Sequence, residues 1–367
     1  MKLVIQRNQL LSPLQKVIGA IEKRQTMPML ANVLIEVGEG NVSITATDME
    51  ITLRASTEYP AEGPVESAAL PARKLLDICK ALPESAEIQL EANAEKGVLK
   101  AGHSRFTLVC LPAQDYPVQE RSGMTSSIVV PAALLKSLLD KTSFAMANQD
   151  VRYYLNGLMF EIYPRGLRAV GTDGHRLAFC NIDLETGGAV NEQVIVPRKG
   201  ILELTRLLAD EEGDIVLSLG PKHIRVETVN GEFVSKLIDG KFPDYQRVIP
   251  ENAVNQLTIP RLEFREALQR AAILSNEKYR GIRVVLEPNE LTLQAHNSEQ
   301  EEAEEKLDIV YSGDSLAIGF NVQYLLDVTN VLNGEEINLA LKDSNSSVLL
   351  KDPEDTSAQY VIMPMRL

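Results

Sequence analysis

An α+β fold of three repeated domains, each with two helices on antiparallel sheets, is predicted by three observations. One helical signature occurs three times. Val196-Pro197-Arg198-Lys199-Gly200-Ile201-Leu202-Glu203-Leu204 has the same form as Leu70-Pro71-Ala72-Arg73-Lys74-Leu75-Leu76-Asp77-Ile78 and as Phe320-Asn321-Val322-Gln323-Tyr324-Leu325-Leu326-Asp327-Val328. A second signature lies between these: Ile5-Gln6-Arg7, Val130-Pro131-Ala132 and Ile259-Pro260-Arg261 open segments holding Leu10/Leu14, Leu135/Leu139 and Phe264/Leu268, with Lys16, Lys141 and Arg270 at one shared position. Copies of each signature stand roughly 125 residues apart, and such periodicity outranks any local motif. Finally, the stretches between the helices alternate polar and apolar residues and are joined by short turns, which favours antiparallel pairing.

In chain order, the first helix is predicted over Asn8–Ile21. Strands follow at Val33–Val37, Val42–Thr47, Ile51–Ala55 and Gly63–Ser67, with a turn at Gly38–Asn41. A helix from Pro71 precedes strands at Ile88–Glu91, Gly97–Ala101 and Arg105–Cys110. The middle third repeats this order: a helix after Pro131, strands at Leu158–Ile162, Gly166–Val170 and Arg176–Cys180, the helix Val196–Leu208, then strands at Ile215–Leu219, His223–Glu227 and Phe233–Leu237. In that helix Pro197 suits the first turn, where a missing N–H costs nothing. Ile201, Leu204, Thr205 and Leu208 fall on one side and Arg198, Lys199, Glu203 and Arg206 on the other. The last third gives a helix from Arg261, strands near 283–286, 291–295, 305–309 and 316–319, a helix after Phe320, and strands near 337–341, 347–350 and 360–363. Domains are expected at 1–120, 128–248 and 254–367. Both borders carry an echo, Asp115-Tyr116-Pro117 and Phe242-Pro243-Asp244-Tyr245.

Apolar residues make up 44% of the 367, enough for sizeable cores, and no apolar run of about 18 residues exists to span a membrane. Met1-Lys2-Leu3-Val4-Ile5 runs directly into Gln6 and Arg7, unlike a signal peptide. Three scattered cysteines, Cys79, Cys110 and Cys180, suit buried thiols in a reducing cytoplasm. A net charge of −14 argues against a broadly basic surface but leaves room for a confined one. Arg7, Lys16, Lys23, Arg24, Arg73, Lys74, Lys136, Lys141, Arg198, Lys199, Arg206, Arg261, Arg265 and Arg270 lie on or beside the six helices. Polar faces turned to a common inner wall would give sequence-blind phosphate contacts. The plain alternative is that these cations only solvate the helices, and Asp140, Glu203 and Asp327 dilute them.

Five long stretches resemble the bacterial sliding clamp, the beta subunit of DNA polymerase III. They are Asp150-Val151-Arg152-Tyr153-Tyr154-Leu155-Asn156-Gly157, Thr172-Asp173-Gly174-His175-Arg176-Leu177-Ala178, Val196-Pro197-Arg198-Lys199-Gly200, Ala271-Ala272-Ile273-Leu274-Ser275-Asn276-Glu277-Lys278 and Tyr360-Val361-Ile362-Met363-Pro364-Met365-Arg366-Leu367. The resemblance covers the whole chain and implies the DNA-clamp fold. Two chains would join head to tail into a six-domain ring around duplex DNA, with no cofactor and no bound metal. The ring would tether the replicative polymerase catalytic subunit, the clamp loader, repair polymerases and mismatch-repair proteins through short linear motifs.

The resemblance places Arg24, Arg73, Gln149, Tyr153 and Tyr154 at DNA, and repeat symmetry adds Arg198 and Lys199. A partner-peptide pocket is implied at Arg152, Leu155, Thr172, Gly174, His175, Arg176, Leu177, Pro243, Arg247, Val248, Asn321, Tyr324, Ser347, Val361, Ile362, Met363, Pro364, Met365 and Arg366. Leu155, Leu177, Val248, Val361 and Met363 can form an apolar floor, and Met adapts to varied partners. Phe106 and Leu108 match one side of the subunit contact and Ile273 and Leu274 the other. Glu301 and Glu304, within the acidic run Glu299–Glu305, can meet Lys74 and Arg105.

Two other classes remain open on the residues alone. Asp173-Gly174-His175-Arg176 invites an acid–base reading, but phosphate-loop, dinucleotide, H-E-x-x-H and C-x-x-C motifs are missing, and His103, His175, His223 and His296 have no ligand spacing. A repeat scaffold that binds only proteins is the other; retention on circular but not linear DNA separates it from a clamp.

Overall fold

The structure, a computed structural model, describes residues 1–21, 27–61, 63–117, 123–187, 191–250 and 255–366. The first third contains β1 (Lys2–Gln6), α1 (Arg7–Val17), β2 (Asn32–Gly38), β3 (Asn41–Thr47), β4 (Ile51–Glu58), β5 (Glu66–Pro71), α2 (Ala72–Ala81), β6 (Glu87–Ala92), β7 (Lys96–Ala101) and β8 (Ser104–Val109). The middle third contains β9 (Ser126–Pro131), α3 (Ala132–Thr142), β10 (Gly157–Tyr163), β11 (Gly166–Thr172), β12 (Arg176–Asp183), β13 (Glu192–Pro197), α4 (Arg198–Leu207), β14 (Asp214–Leu219), β15 (His223–Thr228) and β16 (Gly231–Lys236). The last third contains β17 (Asn255–Pro260), α5 (Arg261–Ala272), β18 (Gly281–Glu287), β19 (Glu290–His296), β20 (Glu302–Asp308), β21 (Leu316–Asn321), α6 (Val322–Val331), β22 (Glu336–Leu341), β23 (Val348–Lys351) and β24 (Ala358–Ile362).

Every third builds two four-stranded antiparallel sheets, and the sheets then join across thirds. The orders are β1-β6-β7-β8, β5-β2-β3-β4-β16-β15-β14-β9, β13-β10-β11-β12-β24-β23-β22-β17 and β20-β19-β18-β21. Two joints are therefore made inside the chain. In one, β4 pairs with β16 (Leu53 opposite Phe233); in the other, β12 pairs with β24 (Leu177 opposite Val361). The repeat equivalents of these joint strands, β8 and β20, end their sheets. As a result the chain divides into two compact units that cut the middle third: Met1–Leu135 with Lys199–Leu237, and Lys136–Arg198 with Ile238–Leu367.

Each helix lays one apolar stripe on its sheet. In α2 that stripe is Ala72, Leu75, Leu76 and Cys79, the i, i+3, i+4, i+7 spacing of a single helical face. Full burial of each such Leu stabilises by roughly 1.5–3 kcal/mol. On α4 the stripe includes Gly200, where a Cβ would approach the Ser235 Oγ to 2.8 Å, so only glycine lets helix and β16 pack this closely.

The structure moves several boundaries. Ile5-Gln6, Leu70-Pro71, Val130-Pro131, Val196-Pro197, Ile259-Pro260 and Phe320-Asn321 close strands rather than opening helices. The four prolines lie in β5, β9, β13 and β17, all terminal strands of their sheets, where a missing ladder donor is tolerated. The fourth strand is Glu66–Pro71, not Gly63–Ser67, and α1 ends at Val17 in a short 3-10 turn. Glu203 is buried against the 3-10 turn after α1 rather than solvated: a Cβ on Gly19 would collide with its carboxylate.

Candidate functional site

The second unit holds a cavity of about 200 Å³ lined by Arg152, Tyr154, Leu155, Thr172, Gly174, Arg176, Leu177, Pro243, Asp244, Tyr245, Val248, Val361 and Met363. Its floor follows from strand alternation. Leu177 and Val361 sit opposite each other across the β12–β24 joint and so share a face, while Arg176 and Ile362 share the other. Leu155, Leu177, Tyr245 and Val361 are buried and continue into a core with Met159, Val170, Phe179, Ile195, Phe242 and Leu349. The turn between β11 and β12 makes one wall. The Thr172 Oγ1 donates to the Arg176 carbonyl at 2.6 Å, and Asp173 Oδ1 accepts from the His175 and Arg176 N–H groups at 2.8 and 3.0 Å.

Gly174 stands in that turn at φ +87°, the left-handed region, and a Cβ there would lie 2.8 Å from Arg152 Nη1. Arg152 is itself clamped: its Nε and Nη2 donate to Asp150 at 3.0 and 2.8 Å, and Nη2 also donates to the Asp173 carbonyl at 3.0 Å. Hydrogen bonds from the Arg152 side chain and backbone hold the Asp150 carboxyl down at about 2. The wall thus presents a fixed cation beside an apolar floor. An apolar peptide anchored by two or three side chains, with polar ends at the rim, is the ligand such a cavity suits.

Ten of the residues expected at the pocket therefore meet there. The others are placed elsewhere. Ile362 is wholly buried on the opposite sheet face. His175 is exposed and receives the Met363 N–H on its carbonyl at 2.8 Å. Arg247 is exposed and pairs with Asp244 at 2.7 Å. Asn321 caps α6 by accepting from the Gln323 N–H, and the Tyr324 ring lies under the Arg176 guanidinium at 4.5 Å. Ser347 precedes β23, half-buried, and Pro364 lies in the half-buried tail after β24. Met365 and Arg366 line a different, polar groove of about 750 Å³ with Arg283, Gln294 and His296. Tyr154, Asp244 and Tyr245 are additions. Tyr245 belongs to the border echo with Tyr116, which is likewise buried; the Tyr245 hydroxyl accepts from Arg168 Nη1 at 2.8 Å, whereas that of Tyr116 reaches the Asn32 and Thr45 carbonyls at 3.1 Å each.

The residues expected at DNA are divided between the two units. Arg24, like Lys23, lies outside the described residues. Arg73 is exposed on α2 and donates to the Ile21 carbonyl at 2.8 Å. Lys199 pairs with Asp48, and Arg198 Nη1 donates to the Met146 carbonyl at 3.2 Å. Gln149 is exposed at φ +57°, and Tyr153 is exposed and packs edge-on against half-buried Tyr154, ring centres 5.7 Å apart. Many helix cations are engaged within the protein. Arg7 donates to the Cys79 carbonyl at the end of α2, and Arg261 to the Thr329 and Gly334 carbonyls at the end of α6. Lys16, Lys141 and Arg270 each hold a carboxylate: Glu211, Asp355 and Glu305.

At the two open joint strands, Arg105 is exposed and Phe106 half-buried on β8, while Leu108 is buried in its own unit. Lys74 is exposed on α2. Beyond α5, Ile273 is 75% exposed and Leu274 half-buried. Exposed Glu304 accepts from Gln294, and Glu301 from Asn297. Among the described residues, no three His, Cys, Asp or Glu side chains gather as a metal site.

Models of the N-terminal, central and C-terminal domains of the DNA polymerase III beta subunit match residues 1–120, 129–244 and 246–366. The chain belongs to the DNA polymerase III beta subunit family. The beta sliding clamp of Pseudomonas putida is 52% identical over 369 residues, and that of Escherichia coli K12 45% identical over 367, each covering 100% of both chains. The crystal structure of the Pseudomonas aeruginosa sliding clamp bound to griselimycin superposes with a TM-score of 0.96 at 49% identity, again over 100% of both chains.

Proposed function

We propose that the chain is a replication processivity clamp, without catalytic activity of its own, that encircles duplex DNA as a head-to-tail homodimer. The observation that carries this is the pair of open joint strands. The chain makes the same antiparallel joint twice, β4 with β16 and β12 with β24, and leaves β20 and β8 as the two halves of a third. Pairing β20 of one copy with β8 of another repeats the joint, and two such contacts close the assembly. Ile273 and Leu274 then meet Phe106, and Glu301 and Glu304 meet Lys74 and Arg105 across the seam.

Within the ring, Arg24, Arg73, Gln149, Tyr153, Tyr154, Arg198 and Lys199 contact DNA without reading its sequence, so the ring slides. The cavity beside Leu177 and Val361 receives linear motifs from the replicative polymerase, the clamp loader and repair proteins, with Arg247, Asn321, Tyr324, Ser347 and Pro364 around it and Met365 and Arg366 in the separate polar groove. Such a protein works in the cytoplasm; no described helix is long and apolar enough to cross a membrane. The test is topological. After loading, the protein should stay on closed circular DNA and be lost when the circle is cut once. Equal loss from both forms would overturn the encircling role.

A further inference from the structure

We infer that Asp327, on α6 and outside the cavity, is a positioning residue that fixes the β11–β12 wall of the groove by holding Arg176 from the far side of the sheet. The inference rests on the peptide-groove reading above. Arg176 and Leu177 are neighbours on β12 that leave the strand in opposite directions; both line the cavity, but Leu177 floors it while the Arg176 guanidinium packs on Tyr324 and Asp327 of α6. The Arg176 side chain is 13% exposed and is held by several groups at once. Its Nη1 pairs with Asp327 Oδ2, its Nε with Asp173 Oδ2 at 3.1 Å, and its Nη2 donates to the Phe144 carbonyl at 2.8 Å. The guanidinium also lies over the rings of Tyr324 and Phe144, at 4.5 and 5.3 Å. Asp327 is fixed in turn, its Oδ1 accepting from Gln323 Nε2 at 2.8 Å one turn earlier.

The other joint argues that this is a built device. There the equivalent turn, Asp48–Ile51, has the same bonds: Thr47 Oγ1 donates to the Ile51 carbonyl at 2.8 Å and Asp48 Oδ1 accepts from the Glu50 and Ile51 N–H groups. That turn too is tied to the helix of the adjoining sheet, with the charges exchanged: Lys199 of α4 grips Asp48. Lys199 and Asp327 lie one turn apart in the aligned helices, on the side that meets the turn. In the first joint the tie fastens the turn to α4. In the second joint the held turn carries Thr172, Gly174 and Leu177. Releasing Asp327 frees Arg176, and the wall loses its fixed position relative to Val361.

The experiment uses the full chain and griselimycin as probe, with affinity measured by calorimetry alongside melting temperature. Asp327→Ala should weaken binding about tenfold, the size of a coupling between groups in one network, while Asp327→Glu retains most of it. In an Arg176→Ala background, Asp327→Ala should weaken binding no further. Full affinity in Asp327→Ala, or an additive loss in the double variant, would overturn the inference. If the unaltered chain fails to bind griselimycin, the groove reading falls but this one is still decided. Amide exchange at 173–177 should quicken in Asp327→Ala and return to normal in Asp327→Glu; exchange unchanged in Asp327→Ala would refute it.

Discussion

Gly174→Ala is the sharpest single perturbation of the groove wall. At φ +87° an L-residue carries a backbone cost of about 1–2 kcal/mol. The equivalent turn holds Met49 at φ +76°, so an L-residue is accommodated in this conformation there. What distinguishes the second turn is Arg152: the new Cβ would lie 2.8 Å from its Nη1, too close for contact. The guanidinium must swing out and give up Asp150 and the Asp173 carbonyl. We expect the melting temperature of the second unit to fall by about 2–8 °C, the shift that 1–2 kcal/mol produces in a unit of this size, and griselimycin affinity to drop as the rim cation moves. With Arg152→Ala already present, the added methyl should cost only its backbone share. An unchanged melt and unchanged affinity in Gly174→Ala would refute this account of the wall.

Three further outcomes are expected. Burial raises the Glu203 carboxyl above its ordinary 4.5, with Arg206 and Lys199 opposing. Just above that pH the folded chain keeps a proton the unfolded chain has released, so this group's contribution falls as pH rises through the window; Glu203→Gln should flatten that part of a stability–pH series, and an identical slope would contradict it. Cys79, Cys110 and Cys180 are buried with thiols pushed up by burial, Cys79 to about 12, so iodoacetamide at pH 8 should add nothing to the native chain and three groups after denaturation, read by intact mass. Tyr116→Phe removes a buried hydroxyl from two carbonyls and should cost the first unit about 1–3 kcal/mol in denaturant unfolding; a variant as stable as the parent would contradict the bonding described.

Helix existence and sheet class were readable because both rest on local periodicity, as in Leu75, Leu76 and Cys79 of α2. The six strand ends before the helices were not. Pro71 or Pro197 next to an apolar stripe suits a first helical turn as well as the last residue of a terminal strand, and only pairing partners such as Asn32 opposite Pro71 decide. Glu203 shows the same limit: its spacing puts it beside Arg206, but Gly19, far away in the chain, buries it. For the groove, Leu177 and Val361 converge because strand alternation directs them, and Leu155 joins them from the 3-10 turn Tyr153–Leu155. Ile362 does not, because alternation turns each neighbour away, and a run such as Val361-Ile362-Met363 cannot line one surface throughout. The joints between sheets carried no signal at all in the sequence, as β4 and β16 read like any other strands. Among the helix cations, charge alone could not separate Arg7 and Arg261, which satisfy helix-end carbonyls, from exposed Arg73.

The pairing of β20 with β8 of a second copy is tested most directly by mass in dilute solution. Sedimentation should give twice 40.5 kDa for the intact chain, with a shift toward one chain when a proline is placed at Thr107 to interrupt the β8 ladder. A species of 40.5 kDa at micromolar concentration, or a dimer indifferent to that proline, would contradict the closed ring.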